Sequence, residues 1–350
     1  MRLFPATRRA ILLLAAAIAL PATTAGAASC PSDLPATMRA IRIHAKGGPE
    51  LLRLEELPMP VPAAGEVLVR VRNASINPVD WKLQAAGALD FPAVPGGDLA
   101  GEIVALGTGV TDWHCGDAVV AVVNQRTRQG SYAEFVAVPT SEMVRKPSAF
   151  SWAEAAAYPT VGIAAWRYLV VAAKVAAGDR VLVHGGAGGV GSMAVQIAKA
   201  SGAYVIATAS AANLEYLRRI GADEAIDYRA TRFEDVVRDV DVVMDTVGGD
   251  TLARSGAVLR PGGRIVSAAG DVPQAICASG RVQCPAEGPW DVVRGLSALA
   301  PLIEAGKLEV NIERVFPLAE AAQAQELNRA GHTRGKLVLQ VAEEPAPAAQ

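Results

Sequence analysis

The sequence predicts an α/β protein in which a strand-rich, barrel-like unit is followed by a doubly wound parallel sheet. Three observations carry this. Short apolar/polar alternations bounded by Gly and Pro fill the first half of the chain, the pattern of antiparallel strands closing on themselves. From Ala153 onward, β-branched runs alternate with helix-spaced apolar segments, as in a parallel sheet wrapped by helices. Between a buried-type strand and a helix, five glycines occupy the seven positions 185–191.

The elements follow in order. Arg2, Arg8 and Arg9 precede an 11-residue apolar run, Ala10–Leu20, and then Ala25-Gly26-Ala27. A run that short does not cross a bilayer of about 30 Å, and the three zones in that order are those of a signal peptide with an A-x-A cleavage site. The twin Arg8-Arg9 fits the twin-arginine route used for folded cargo. Residues 1–27 are therefore expected to be a signal peptide, and the mature chain to be exported, with the periplasm as its destination. Cleavage would take the net charge from −2 to −5, since residues 1–27 hold three arginines and no acid. The alternatives are a lipid anchor at Cys30, and a cytoplasmic protein starting at Met38. Residues 28–37 read as a linker.

Strands are expected at 65–76, 101–110, 116–123 and 131–139, and parallel ones at 181–184, 204–208, 224–226, 240–245 and 263–267. The final strand, in "GKLVLQV", fits either unit. Residues 342–350, rich in Ala and Pro, read as a disordered tail.

The glycines define the first candidate site. Gly186, Gly188 and Gly191 fit G-x-G-x-x-G at a strand-to-helix turn, with Gly189 and Val190 between them. In that motif the first glycine makes the tight turn, the second admits a pyrophosphate and the third lets helix and strand pack closely. The helix N-terminus then offers N–H groups to the anion. An acid usually ends the second strand and holds a ribose 2′-hydroxyl. Here that strand runs into Ser210, Ala211, Ala212 and Asn213, and no carboxylate appears before Glu215. NADPH is therefore expected over NADH. Arg218 and Arg219 are either its cationic contacts or solvated helix charges.

Composition narrows the classes further. The chain is 51% hydrophobic and 19% charged, without a basic block beyond the N-terminus, which argues against nucleic acid as a partner and against stable membrane insertion. Cys30, Cys115, Cys277 and Cys284 form no C-x-x-C pair and do not cluster with the four histidines, so no metal is expected. Cys277 and Cys284 either close a loop as a disulfide or remain thiols.

The motifs "SINPVDWKL" (75–83), "PGGDLAGEIVALGTGV" (95–110), "GSYAEFVAVP" (130–139), "VHGGAGGVGSMAVQIAK" (183–199), "DTVGG" (245–249) and "GHTRGKLVL" (331–339) resemble the medium-chain dehydrogenase/reductase superfamily over about residues 38–341. The likeness is greatest to its zinc-free, NADPH-dependent quinone oxidoreductase branch. Zinc alcohol dehydrogenases carry a Cys where this chain has Asn77-Pro78 and a His-Glu pair where it has Gly97-Asp98. The resemblance implies a GroES-like β-barrel domain over 38–157, completed by about 305–341, and a Rossmann domain over 158–304. It implies NADPH-dependent hydride transfer to a quinone or an α,β-unsaturated carbonyl. A trans-enoyl-thioester reductase and a non-catalytic NADP(H)-binding protein are the alternatives. The expected partner is a small-molecule substrate, with a homodimer left open.

By the same resemblance, Thr160 contacts the cofactor or else caps a helix. Tyr228 lies by the adenosine phosphate, and Asn213 stands where relatives have a lysine. Lys336 matches a basic position, and the loop 268–270, ending in Gly270, runs beside the nicotinamide. Asn77 and Asp80 are the best polar groups for the cleft, with Lys82 and Tyr132 behind them. Asp80 is either a proton donor or a turn cap.

Overall fold

The computed structural model describes residues 30–126 and 129–342. The expected signal peptide (1–27) and nearly all of the expected tail (342–350) lie outside them. The N-terminal half holds β1 (Thr37–Arg42), β2 (Arg53–Pro58), β3 (Glu66–Ile76), α1 (Pro78–Ala86), β4 (Asp98–Leu106), β5 (Ala118–Val122), β6 (Phe135–Pro139) and β7 (Met143–Arg145). The strand expected at 101–110 instead starts at Asp98 and stops at Leu106, because the chain turns through Gly107-Thr108-Gly109.

Next come α2 (Trp152–Ala157), α3 (Pro159–Trp166), β8 (Arg180–Val183), α4 (Gly189–Ala200), β9 (Tyr204–Ala209), α5 (Leu214–Arg219), β10 (Glu224–Asp227), α6 (Phe233–Val236), β11 (Val240–Asp245), α7 (Gly249–Ser255) and β12 (Leu259–Ser267). The chain ends through α8 (Gln274–Ala278), α9 (Val292–Glu304), β13 (Ile312–Pro317), α10 (Ala321–Ala330) and β14 (Lys336–Gln340).

β8 to β12 form a parallel five-stranded sheet in the order β10-β9-β8-β11-β12. The order reverses at β8, whose C-terminal end leads into the glycine turn; ligands of such sheets bind in the crevice at that point. The central strands are buried on both faces, which explains their uninterrupted β-branched runs. The second sheet runs β13-β14-β3-β4-β5-β7, with β6 also on β3. β14 pairs antiparallel with β3, Leu337 opposite Ile76. The C-terminal strand thus joins the N-terminal sheet, a choice its sequence leaves open because either sheet could bury its apolar residues. One apolar cluster fills the barrel-like unit, one covers a face of the parallel sheet, and a third packs the other face together with Ala100, Val120 and Val338 of the barrel-like sheet.

Cys277 and Cys284 form a disulfide, and Cys30 is bonded to Cys115. Cys30 is thus a cross-link here rather than the free thiol a lipid anchor requires. No helix among the described residues is long and apolar enough to cross a membrane.

Candidate active site

β8 ends at Val183 and α4 begins at Gly189, so residues 184–188 turn the chain from the sheet into a helix. The tight turn falls one residue earlier than the motif predicts. Gly185, with φ of +68°, adopts the left-handed backbone that favours glycine. Gly186 serves packing instead, since a Cβ there would lie 2.9 Å from Leu217 Cδ2 and 3.0 Å from Ala207 Cβ. At Gly191 a Cβ would come within 2.1 Å of the Gly185 carbonyl oxygen, which is the expected close approach of helix to turn. At Gly188 a Cβ would meet only that oxygen, at 3.5 Å. Its free side borders the cleft, so the space a side chain would fill is open to a ligand. The first N–H groups of a helix have no partner within it, and Gly189, Val190 and Gly191 at the start of α4 line the same cleft.

The cleft is a groove of two joined cavities. One, of 520 Å³, is walled by Ser210, Asn213, Tyr228, Thr231, Arg232 and Arg254. The other, of 710 Å³, is walled by Asn77, Lys82, Thr160, Ala268, Ala269 and Lys336 together with the glycine turn. They share Gly188, Thr246, Val247, His332 and Thr333. A third cavity of 810 Å³, lined by apolar Val79, Leu83 and Val292 and by polar Asn124, Arg126 and Glu142, meets the second at Thr160 and Trp290. A long bipartite ligand with an anionic middle fits the groove, its centre on the α4 N-terminus. The third cavity can hold a reaction partner at one end of it.

Beneath the second cavity lies a buried polar cluster. Asp98, fully buried on β4, accepts from Ser75 Oγ at 3.0 Å, Asn77 Nδ2 at 2.9 Å and Thr160 Oγ1 at 2.6 Å. Lys336 Nζ donates to the Ile76 carbonyl and to Asn77 Oδ1, each at 2.6 Å. Burial pushes the Asp98 carboxyl up, opposed by the Lys336 charge, and pushes the Lys336 amine down, opposed chiefly by Asp98.

Several expectations are corrected by this geometry. Asp80 does not face the cleft. It is fully buried and takes hydrogen bonds from Asn77 N at 2.8 Å, Gln125 Nε2 at 2.7 Å and the Tyr132 hydroxyl at 2.7 Å. Burial raises its carboxyl to about 6, but its contacts are those of an internal cap on α1. Tyr132 is buried with it, while Lys82 is exposed on the cleft wall. Thr160 caps no helix, since the cap of α3 is Tyr158; its hydroxyl is given to Asp98. The Lys336 ammonium turns inward to Asn77. Ala268 and Ala269 line the groove, and Gly270 stands one residue beyond. Arg219 pairs with Glu309, and neither it nor Arg218 borders the groove. Sequence reading missed Arg232, Arg254, Trp290 and Ser75, and it named Asn77, Thr160 and Lys336 without their link to Asp98.

Residues 63–148 match the family model described as alcohol dehydrogenase GroES-like domain, and residues 220–339 the one described as zinc-binding dehydrogenase. An NADPH-dependent alkenal/one oxidoreductase of Arabidopsis thaliana chloroplasts is 34% identical over 88% of this chain and 81% of its own length. The chain belongs to the zinc-free quinone oxidoreductase branch of the medium-chain dehydrogenase/reductase superfamily. A solved quinone oxidoreductase from Coxiella burnetii is 34% identical, with a TM-score of 0.80 over 87% of this chain and 100% of that one. An Escherichia coli quinone oxidoreductase, solved as a complex with NADPH, is 27% identical, with a TM-score of 0.77 over 87% and 100%. A mitochondrial NAD(P)H oxidoreductase of Danio rerio is 32% identical over 80% of this chain and 84% of its own.

These relatives also correct the expected export. The curated ones are named for chloroplasts and mitochondria, which overturns the periplasmic assignment. As a member of this branch, the chain has Asn77 and Gly97-Asp98 where its zinc-dependent cousins hold ligands, despite the wording of the second family model. Among the described residues, no three His, Cys, Asp or Glu side chains gather as a metal site.

Proposed function

We propose that this chain is an NADPH-dependent oxidoreductase that reduces quinones or α,β-unsaturated carbonyls without a metal. The observation that carries the reading is the continuous groove over the glycine turn, ending at a cavity of mixed apolar and polar lining above a fully paired Asn77–Asp98–Lys336 cluster. The residues fit the cofactor. Gly188 leaves room for a pyrophosphate, and Gly189, Val190 and Gly191 present the helix N-terminus to it. Ser210, Asn213 and Tyr228 border the adenosine end; Thr160 and the 268–269 loop border the nicotinamide end. Bound NADPH supplies the hydride.

The protein's own part is placement and exclusion of water. Asn77 has both ends of its amide engaged, and the Thr160 proton is given to Asp98. Neither is free to deliver a proton. An electron-poor acceptor spreads the developing charge onto oxygen, so it needs little more than orientation and a donor near that oxygen. The exposed Lys82 ammonium and solvent at the cleft mouth meet that need. Domains of 38–157 with 305–341, and of 158–304, go with this reading and agree with the pairing of β14 to β3. So does a homodimer, checked by light scattering. The test is NADPH oxidation by the purified chain against a panel of quinones and enals. Turnover of several acceptors is expected, and binding of NADPH without turnover of any would refute the enzyme reading.

A further inference from the structure

The adenosine end of the groove has a cationic wall that no α5 residue supplies. β10 runs parallel to β9 with Asp227 beside Ala209, and Tyr228 N donates to the Ala209 carbonyl at 3.1 Å. The two strands therefore release their chains side by side. Residues 210–213 form one wall of the 520 Å³ cavity and residues 228–232 another. The first wall is polar and uncharged, with Asn213 Nδ2 donating to Ser210 Oγ at 3.2 Å. The second ends in Arg232, and Arg254 approaches from α7.

These two arginines share one acid. Arg232 Nε and Nη2 reach Glu234 Oε1 at 3.0 and 2.7 Å, and Arg254 Nη1 reaches the same oxygen. Glu234 is the carboxylate bonded to both guanidinium groups, and Asp235 acts on Arg232 only through space. Each guanidinium has five N–H donors. Arg232 spends two on Glu234. Arg254 spends one there and one on the Asp250 carbonyl. Donors remain on both, in the fork geometry that matches phosphate oxygens. Glu234 thus holds two otherwise mobile side chains against the cavity without occupying all their donors.

We infer that Arg232, seconded by Arg254, is the group that reads the 2′-phosphate of NADPH in this chain, in place of a cation after β9. The inference rests on the cofactor assignment above and adds the residues that make the choice. Ser210, Asn213 and Tyr228 then furnish neutral hydrogen bonds, and the arginines the charge. A guanidinium can also stack on an adenine ring, which every adenine nucleotide carries, so the measurement must separate phosphate from base.

The test is calorimetric titration of the full chain and its R232A, R232K and R254A variants with NADPH, NADH, 2′,5′-ADP and 5′-AMP. Arg232 is exposed, and circular dichroism checks that its variants fold. For R232A, about tenfold or greater loss is expected for NADPH and 2′,5′-ADP, against less than about twofold for NADH and 5′-AMP, as for a lost charge-assisted contact. R254A shows the same pattern more weakly, and R232K falls between wild type and R232A. Equal losses for phosphorylated and unphosphorylated ligands would mean base stacking and overturn the inference. So would an R232A variant with wild-type preference. A wild-type protein that binds NADH as tightly as NADPH would overturn the cofactor assignment itself.

Discussion

Two glycines of the turn are expected to fail in different ways. In Gly191→Ala, the new methyl would lie 2.1 Å from the Gly185 oxygen, 2.8 Å from its carbon and 2.9 Å from Gly186 Cα. Ordinary contact begins near 3.4 Å, so backbone on one side must move by about 1 Å, and no flexible side chain is there to yield. Overpacking of this kind costs about 1–3 kcal/mol, and rigid backbone on both sides puts this case at about 3. Alanine returns up to about 1 kcal/mol of helix propensity. The net loss of about 2 kcal/mol corresponds to roughly 4–8 °C in Tm for a unit of this size.

Gly188 has φ of −77° and ψ of 176°, open to any residue, and no neighbour closer than 3.5 Å to a new Cβ. Gly188→Val should therefore keep the wild-type Tm while its side chain occupies the pyrophosphate space. Affinity for NADPH should fall by at least tenfold, about 1.4 kcal/mol. Thermal unfolding and quenching of NADPH fluorescence read the two effects separately. A Gly191→Ala variant with unchanged Tm, or a Gly188→Val variant with unchanged affinity, would refute this account of the turn.

Steady-state kinetics should show a clear preference for NADPH over NADH, because no carboxylate follows β9; equal use of both would contradict the reading. Activity should survive exhaustive chelation, and loss restored by added zinc would place the chain with its zinc-dependent relatives. Lys336→Met should cost about 1–3 kcal/mol in urea unfolding, since it leaves the Ile76 carbonyl and Asn77 Oδ1 without their donor and removes the charge that offsets Asp98 through space. Adding Asp98→Asn should recover part of that loss, and strictly additive losses would show the two charges to be uncoupled. Burial holds Asp80 near 6, above the ordinary 3.8, so this group costs stability as pH rises through that window. Burial holds His184 near 4, below 6.5, so it costs stability as pH falls through nearly the same window. Relative to wild type, Asp80→Asn should therefore gain stability from pH 4 to 6, by up to about 3 kcal/mol; parallel pH profiles would rule out a buried ionised Asp80.

The fold was legible wherever the signal was local. The runs at 181–184 and 240–245 needed only their own composition to be read as buried strands, and the glycines at 185–191 needed only their neighbours. What escaped depends on contacts distant in sequence. β14 and β3 are far apart in the chain, and nothing within "GKLVLQV" names its partner. Cys30 and Cys115 are separated by 85 residues. Asp80 reads as a proton donor in the cleft or as a turn cap, and only the packing of Gln125 and Tyr132 over it decides for the cap. Arg218 and Arg219 lie near β9 in sequence, whereas Arg232 and Arg254 are near its end in space. The turn itself was read one residue late, because a spacing rule cannot tell which glycine carries the positive φ.

The Asp98 cluster bears on how a scaffold shared with metal enzymes can work by placement. It draws Ser75 and Asn77 from the end of β3, Asp98 from β4, Thr160 from α3 and Lys336 from β14. α3 belongs to the core of the parallel sheet, and the other three elements to the barrel-like sheet. Ser75, Asn77 and Lys336 offset the Asp98 charge from within the barrel-like sheet, and Thr160 adds a bond from α3. A sliding of α3 against β4 would break the Thr160–Asp98 bond and leave the bonds from Ser75 and Asn77 in place. The same residues line or underlie the junction of the groove with the third cavity. On the proposed reading, the cluster ties the nicotinamide end of the groove to the wall of the third cavity. In a metal enzyme the ion sets that relation and polarises the substrate as well. Here the cluster accounts for the first task, in keeping with the proposed reduction of electron-poor acceptors, which need little polarisation.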